Sequence, residues 1–237
     1  MCGRYVIEGT TELSERFQLR QIPADLFPEW TTYNAAPTQL LPVIVEDAEG
    51  ERTALPMQWG LLPRWRRPDG KAGVAPINAR AETLLEKPMF RGLTKAKRCI
   101  VPASGFYEWR KVDGRKQPYY LTSEDGEAWG FAGLYDLTHE DDNDAAGSFT
   151  IITTPANSLV APLHNRMPAI LRREDEEEWV SRDVTDPLQV ERLLRPYPED
   201  AMRVYAVSPD VNSPRHNGPE LIEPDEGDGE GDPAGGN

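Results

Sequence analysis

Apolar positions along this chain fall in short runs bounded by polar or turn-forming residues, a pattern of strands rather than of long helices. Arg4-Tyr5-Val6-Ile7 predicts a short strand and Leu40-Leu41-Pro42-Val43-Ile44-Val45 a buried one. Glu46 to Glu51 reads as a solvated hairpin tip leading into a strand from Ala54 to Leu61, whereas Tyr33-Asn34-Ala35-Ala36-Pro37-Thr38 reads as a turn. Arg98 to Pro102 and Gly105 to Arg110 predict a strand, a kink and a second strand, and a turn at Asp113-Gly114 returns the chain along Pro118 to Thr122. Ala128 to Tyr135, Phe149 to Thr153, Ala169 to Leu171 and Arg203 to Val207 complete the strands. The acidic stretch His139 to Asp144 is the loop between the first two of these.

Helical spacing is confined to short pieces. Thr10 or Thr11 can cap a helix that turns Leu13 and Phe17 to one side. A short helix is expected at Thr83 to Glu86, and amphipathic ones at Glu174 to Val180 and Leu188 to Leu194. Many strands with few, short helices predict an α+β fold. The expected form is a single domain over residues 1–222, built on a curled, barrel-like, mostly antiparallel sheet with short flanking helices. From Glu223 onward there are six acids and five glycines with no base or aromatic, which predicts a disordered tail over residues 223–237.

A net charge of −14 argues at first sight against a nucleic-acid partner, but the distribution argues otherwise. Between Arg64 and Lys116 there are 14 basic and 5 acidic residues, leaving 12 basic and 35 acidic in the rest of the chain. The molecule is thus a basic middle inside an acidic shell. Such a shell resembles that of proteins from salt-loaded cytoplasms and leads to the expectation of a halophilic source, where binding leans on stacking, shape or covalent capture. No apolar run approaches a membrane span and no signal-peptide core opens the chain, so a cytoplasmic protein is expected. Two cysteines make neither a disulfide framework nor a metal site, and Cys99 reads as a small buried residue of a strand. No cofactor or metal is implied, and the expected state is a monomer.

Once Met1 is removed, Cys2 carries an α-amine and a thiol on adjacent carbons. With an aldehyde the amine gives a Schiff base, and the thiol closes onto the same carbon as a five-membered thiazolidine. Glu108 shares one strand face with Phe106 and Arg110, while Tyr107 and Trp109 take the other. A carboxylate among bulky aromatics suits general acid/base work, although a cross-strand ion pair explains it equally simply. His164 sits in Pro162-Leu163-His164-Asn165-Arg166-Met167-Pro168, between strands, whereas His139 lies in the acidic loop and His216 near the C-terminus. It is a candidate proton carrier or a loop-fixing hydrogen-bonding group. Asn78, Arg80 and Arg166 can supply hydrogen bonds and phosphate contacts. Trp65 among Arg64, Arg66 and Arg67 fits base stacking with backbone neutralisation, or a half-buried loop residue.

Seven short motifs occur in order: Met1-Cys2-Gly3-Arg4, Tyr33 to Thr38, Trp59-Gly60-Leu61, Ile77-Asn78-Ala79-Arg80-Ala81-Glu82, Gly105 to Trp109, Leu163 to Pro168, and Val207-Ser208. Together they resemble the SOS-response-associated peptidase (SRAP) family over nearly the whole chain bar the tail. The resemblance implies a sensor of abasic sites that crosslinks covalently to them in single-stranded DNA through a thiazolidine at Cys2. It implies that Glu108 moves protons, that His164 protonates or holds the released sugar oxygen, and that Asn78 hydrogen-bonds the adduct. It places Arg4, Asn34, Arg80, Thr153 and Arg166 at DNA-contacting positions and Trp65 in the stacking region. After Trp65 the loop runs Arg66-Arg67-Pro68-Asp69-Gly70-Lys71, where some relatives carry a second aromatic. The family name also implies an autopeptidase step that removes what precedes Cys2, and a lyase-like self-release. Two other classes stay open on residues alone: a cysteine hydrolase with Cys2 as nucleophile and His164 as base, and a non-covalent single-strand binder using the basic middle and Trp65.

Overall fold

The computed structural model describes residues 2–20, 30–62, 75–112, 114–137 and 147–225. Its strands are β1 (Tyr5–Ile7), β2 (Thr32–Ala35), β3 (Leu40–Glu46), β4 (Arg52–Trp59), β5 (Asn78–Arg80), β6 (Arg98–Ala103), β7 (Gly105–Val112), β8 (Arg115–Ser123), β9 (Trp129–Leu137), β10 (Gly147–Pro155), β11 (Arg166–Pro168) and β12 (Met202–Ala206). The helices are α1 (Thr10–Phe17), α2 (Pro88–Arg91), α3 (Glu176–Val180) and α4 (Pro187–Leu193), with single 3-10 turns between elements. The fold is α+β and mostly antiparallel, as the strand-rich pattern predicts.

The strands divide into two sheets. One runs β12-β8-β7-β1-β2. The other runs β11-β10-β4-β3-β6-β9, and because β9 also pairs with β10, five of its strands close into a ring. Among the described residues only the pairings of β10 with β4 and with β5 are parallel. Local chemistry sets the hairpins. At the β3–β4 tip the Asp47 carboxylate accepts the Glu49 and Glu51 N–H groups at 3.0 and 2.8 Å, and Gly50 takes a positive φ of 81°. Between β6 and β7 the chain turns at Ser104-Gly105. A Cβ on Gly105 would stand 2.4 Å from the Tyr120 hydroxyl and 2.5 Å from the Leu121 carbonyl, so only glycine fits.

Alternation sorts the side chains of the five-stranded sheet into two apolar layers. Tyr5 and Ile7 of β1 and Phe106 of β7 join the main core, where the Tyr5 ring meets Trp59 edge-on at 5.1 Å and Phe106 meets Phe131 at 6.0 Å. Val6, Tyr107 and Tyr120 face the other way, under Val207, Val211 and Leu221. The segment after β12 therefore covers the back of the sheet. Its residues 224 and 225 still run along the chain, with Pro224 bridging Val207 and the Asp225 N–H donating to the Ala206 carbonyl at 2.9 Å.

Several local expectations change. Thr32–Ala35 is a strand rather than part of a turn, because β1 offers it an antiparallel partner with Tyr5 opposite Ala35. The helix expected at Thr83 to Glu86 is a 3-10 turn over Ala81–Thr83, followed by α2. Neither Thr10 nor Thr11 caps α1. Gly9 holds that position, and the Thr10 hydroxyl accepts the Trp30 N–H at 3.0 Å. Ala169 to Leu171 makes one bridge, Phe131 to Ile170, and the strand lies just before it as β11. Cys99 is fully buried in β6. The expected acidic loop at His139 to Asp144 and the basic loop carrying Trp65 lie outside the described residues.

Candidate functional site

The N-terminal extension of β1 is led along β7. Tyr5 pairs with Phe106 and Val6 with Gly105, and the Tyr107 N–H donates to the Arg4 carbonyl at 3.1 Å. Carried back, that antiparallel register sets Gly3 opposite Glu108 and Cys2 beside it. Asn78, the first residue of β5, donates its Nδ2–H to the Cys2 carbonyl oxygen at 2.8 Å. The parallel pairing of β5 with β10, Asn78 beside Ile151, fixes where that amide points from. Its Oδ1 is buried with no hydrogen-bond partner among the described residues, which leaves one acceptor of the amide for an incoming group.

Cys2 is fully buried and Glu108 is 3 % exposed. Burial above all, and after it the negative charge of Glu108, push the Cys2 thiol well above its ordinary range, while the Arg4 backbone N–H draws it down. The thiol is thus held as a neutral group next to a carboxylate. Asn78, Cys2 and Glu108, predicted separately from three distant motifs, stand together.

His164 is half-buried in the turn before β11. The Arg166 backbone N–H donates to its Nδ1 at 2.9 Å, so a neutral ring carries its proton on Nε2. β11 lies against β10, with Arg166 opposite Pro155 and Pro168 opposite Thr153. Thr153 also pairs with Arg80 of β5 from the other side. One strand, β10, therefore carries both the Asn78–Arg80 strand and the strand that follows His164.

The expected DNA contacts that lie within the described residues fall into three groups. Arg80 is exposed. Arg4 and Arg166 are half-buried with their guanidinium groups engaged by protein: Arg4 Nη1 donates to Asn34 Oδ1 at 2.8 Å and to the Val211 carbonyl at 3.0 Å. Arg166 donates through Nη1 and Nη2 to the two carboxylate oxygens of Glu82, at 2.5 and 2.9 Å, and through Nη2 also to the Thr153 carbonyl. Asn34 and Thr153 are each 1 % exposed. Asn34 spends its Nδ2 on the carbonyls of Val211, Ser213 and His216, so it reaches a ligand only through what it holds. Trp65 lies outside the described residues. Among the described residues no group of three or more His, Cys, Asp or Glu side chains is arranged to hold a metal, and no helix is long and apolar enough to cross a membrane.

A family model described as SOS response associated peptidase (SRAP) matches residues 1–214. The chain belongs to the SRAP family. It is 42 % identical over 228 residues to the abasic site processing protein YoqW of Bacillus subtilis, covering 94 % of this chain and 99 % of that one. It is 33 % identical to the abasic site processing protein HMCES of Gallus gallus, over 83 % of this chain and 69 % of the relative. A solved protein structure from Bacteroides thetaiotaomicron superimposes with a TM-score of 0.80 at 28 % identity, covering 94 % of this chain and all of that one. The two-sheet architecture is thus that of a SRAP protein. Within it, sequence reasoning gave Glu82 no role, although it stands two residues after Arg80 in a quoted motif. An acid beside a candidate phosphate-binding arginine was the available signal. Asn212, whose Oδ1 accepts the Trp109 indole N–H at 2.8 Å, had no comparable signal.

Proposed function

We propose that this SRAP protein processes abasic sites in single-stranded DNA by capturing them covalently on Cys2. The observation that carries the reading is the placement of Cys2, held at its carbonyl by Asn78 and lying beside Glu108. The names of the relatives YoqW and HMCES, abasic site processing proteins, support the substrate class.

The chemistry follows from the groups present. An abasic deoxyribose reacts as its open aldehyde. Opening breaks the bond from C1′ to the ring oxygen, which takes a proton, while the C1′ hydroxyl gives one up to water and becomes the aldehyde carbonyl. His164, with its proton on Nε2, is assigned to that donation. The Cys2 amine attacks C1′, and loss of water gives the imine. Glu108 is assigned to accept the amine proton and return one to the departing hydroxyl. The thiol sulfur then adds to the same carbon and its proton ends on nitrogen, so that aldehyde and aminothiol give thiazolidine and water. Closure within one residue has the advantage of a large effective molarity. The Asn78 Oδ1 is the assigned acceptor for the adduct. The path requires Met1 to have left, because only then does Cys2 carry an amine, and Glu108 beside it is the group we assign to assisting that cleavage. Arg4, Arg80 and Arg166, with Trp65, are assigned to the DNA strand.

The test is a denaturation-stable adduct between the mature protein and an abasic single-stranded oligonucleotide. Cys2→Ala abolishes it if the reading is right, and an adduct formed by Cys2→Ala at the normal rate overturns it. Turnover of a peptide substrate without any DNA adduct would instead favour a cysteine hydrolase.

A further inference from the structure

Resting on that reading, we infer that Glu82 is an affinity-setting residue that occupies Arg166 as a stand-in for a DNA phosphate, so that binding DNA is an exchange of one anion for another. The Arg166 guanidinium meets the Glu82 carboxylate fork to fork, at 2.5 and 2.9 Å. This planar two-oxygen arrangement is the one that the non-bridging oxygens of a phosphodiester offer to arginine. The remaining donors leave little room for a second anion. Nη2 also serves the Thr153 carbonyl and, at 3.3 Å, its hydroxyl, while Nε is buried with no partner among the described residues. A phosphate therefore gains Arg166 only where Glu82 gives way.

The two partners differ in a way that suits such an exchange. The Arg166 side chain is 11 % exposed and held by β10, whereas the Glu82 side chain is 47 % exposed on a 3-10 turn. Two residues before it, Arg80 is exposed and its charge acts on the Glu82 carboxyl, behind the stronger effect of Arg166; both hold it below the usual carboxylate range. Arg80 is thus the nearby cation toward which the displaced carboxylate turns. Thr153, paired with Arg80 on one side and hydrogen-bonded to Arg166 on the other, fixes the spacing of the two arginines. In the free protein the local charge of this trio is one positive unit. With Glu82 neutralised it is two.

The experiment measures non-covalent binding of an intact single-stranded oligonucleotide across a range of salt concentrations, with thermal unfolding recorded alongside. Glu82→Gln keeps the shape and removes the charge. It is expected to bind about two- to fivefold tighter at low salt, the range a partly exposed ion pair converts to. The slope of log affinity against log salt should steepen by about one charge. Arg166→Gln should weaken binding, and Glu82→Gln added to it should bring no gain, since the exchange needs both partners. If Glu82→Gln binds no tighter, or loses affinity as Arg166→Gln does, Glu82 is only a support for Arg166 and the inference falls. Absence of DNA binding by the unaltered protein would overturn the functional reading itself, and this inference with it.

Discussion

The Asn78 side-chain N–H and the Cys2 carbonyl oxygen, 76 positions apart in the chain, meet at 2.8 Å. The bond ties the backbone of the reactive residue to the start of β5. One neutral hydrogen bond contributes about 1 kcal/mol net, so Asn78→Ala is expected to slow adduct formation about five- to tenfold. The unfolding midpoint should change little. Equal adduct rates in a time course with abasic oligonucleotide would show that the bond does not position Cys2.

Glu108 and His164 are assigned different steps, which a change of substrate separates. Glu108→Gln should slow capture of both abasic DNA and a simple aliphatic aldehyde, by about a hundredfold, the lower end for a lost acid/base group. His164→Ala should slow abasic DNA alone, because a simple aldehyde has no sugar ring to open. Equal slowing of both substrates by His164→Ala would remove its assigned role.

The thiols give a pH-dependent prediction. Burial pushes both Cys2 and Cys99 up, and a raised thiol pKa means less thiolate at any given pH. With Met1 attached, alkylation of either cysteine in the native protein should be slow near pH 8, rise as pH increases, and become complete on unfolding. Removal of Met1 puts the α-ammonium on Cys2 itself, whose positive charge draws that thiol down, so Cys2 should then alkylate faster than Cys99 at the same pH. Peptide mass spectrometry of timed alkylation reads both sites at once.

A fourth prediction concerns stability alone. Glu176, 1 % exposed, takes the Arg16 guanidinium on both oxygens, at 2.6 and 3.0 Å, with Arg52 at 3.7 Å. This tether joins α1 to α3. Glu176→Ala removes the close, two-oxygen partner of Arg16 at a site that is largely closed to water and leaves it the half-exposed Glu127 carboxylate, 3.9 Å from Nε; it should cost about 3 kcal/mol in denaturant unfolding. Adduct formation per folded molecule should stay unchanged. A loss below about 1 kcal/mol, the size of an exposed pair, would show that water reaches the site.

The elements legible in the sequence are those whose cause is local. The β3–β4 hairpin follows from an apolar run and the Asp47 turn, and the faces of β7 follow from alternation, with Phe106 and Tyr107 in separate clusters as expected. β2 and β11 were not legible as strands, because each owes its conformation to a partner remote in sequence: β1 for the first, β10 for the second. The same division runs through the site. Cys2, Asn78, Glu108 and His164 are marked by their own chemistry and by the motifs around them. The buried place of Asn34 depends on a segment about the length of a domain away, and the pairing of Glu82 with Arg166 spans 84 positions. The first leaves no trace in local pattern, and the second only an acid two residues after Arg80.

Asn34 ties Arg4 to the carbonyls of Val211, Ser213 and His216. The head of the chain is therefore clasped by residues that leave the ribosome long after it. While synthesis is under way Met1 can already be trimmed, yet Arg4 has no seat until residue 216 has emerged. The newborn amine thus exists before the framework that aims it. A chain stopped short of Val211 would keep every residue assigned to the chemistry and lose the clasp that sets the first of them in place.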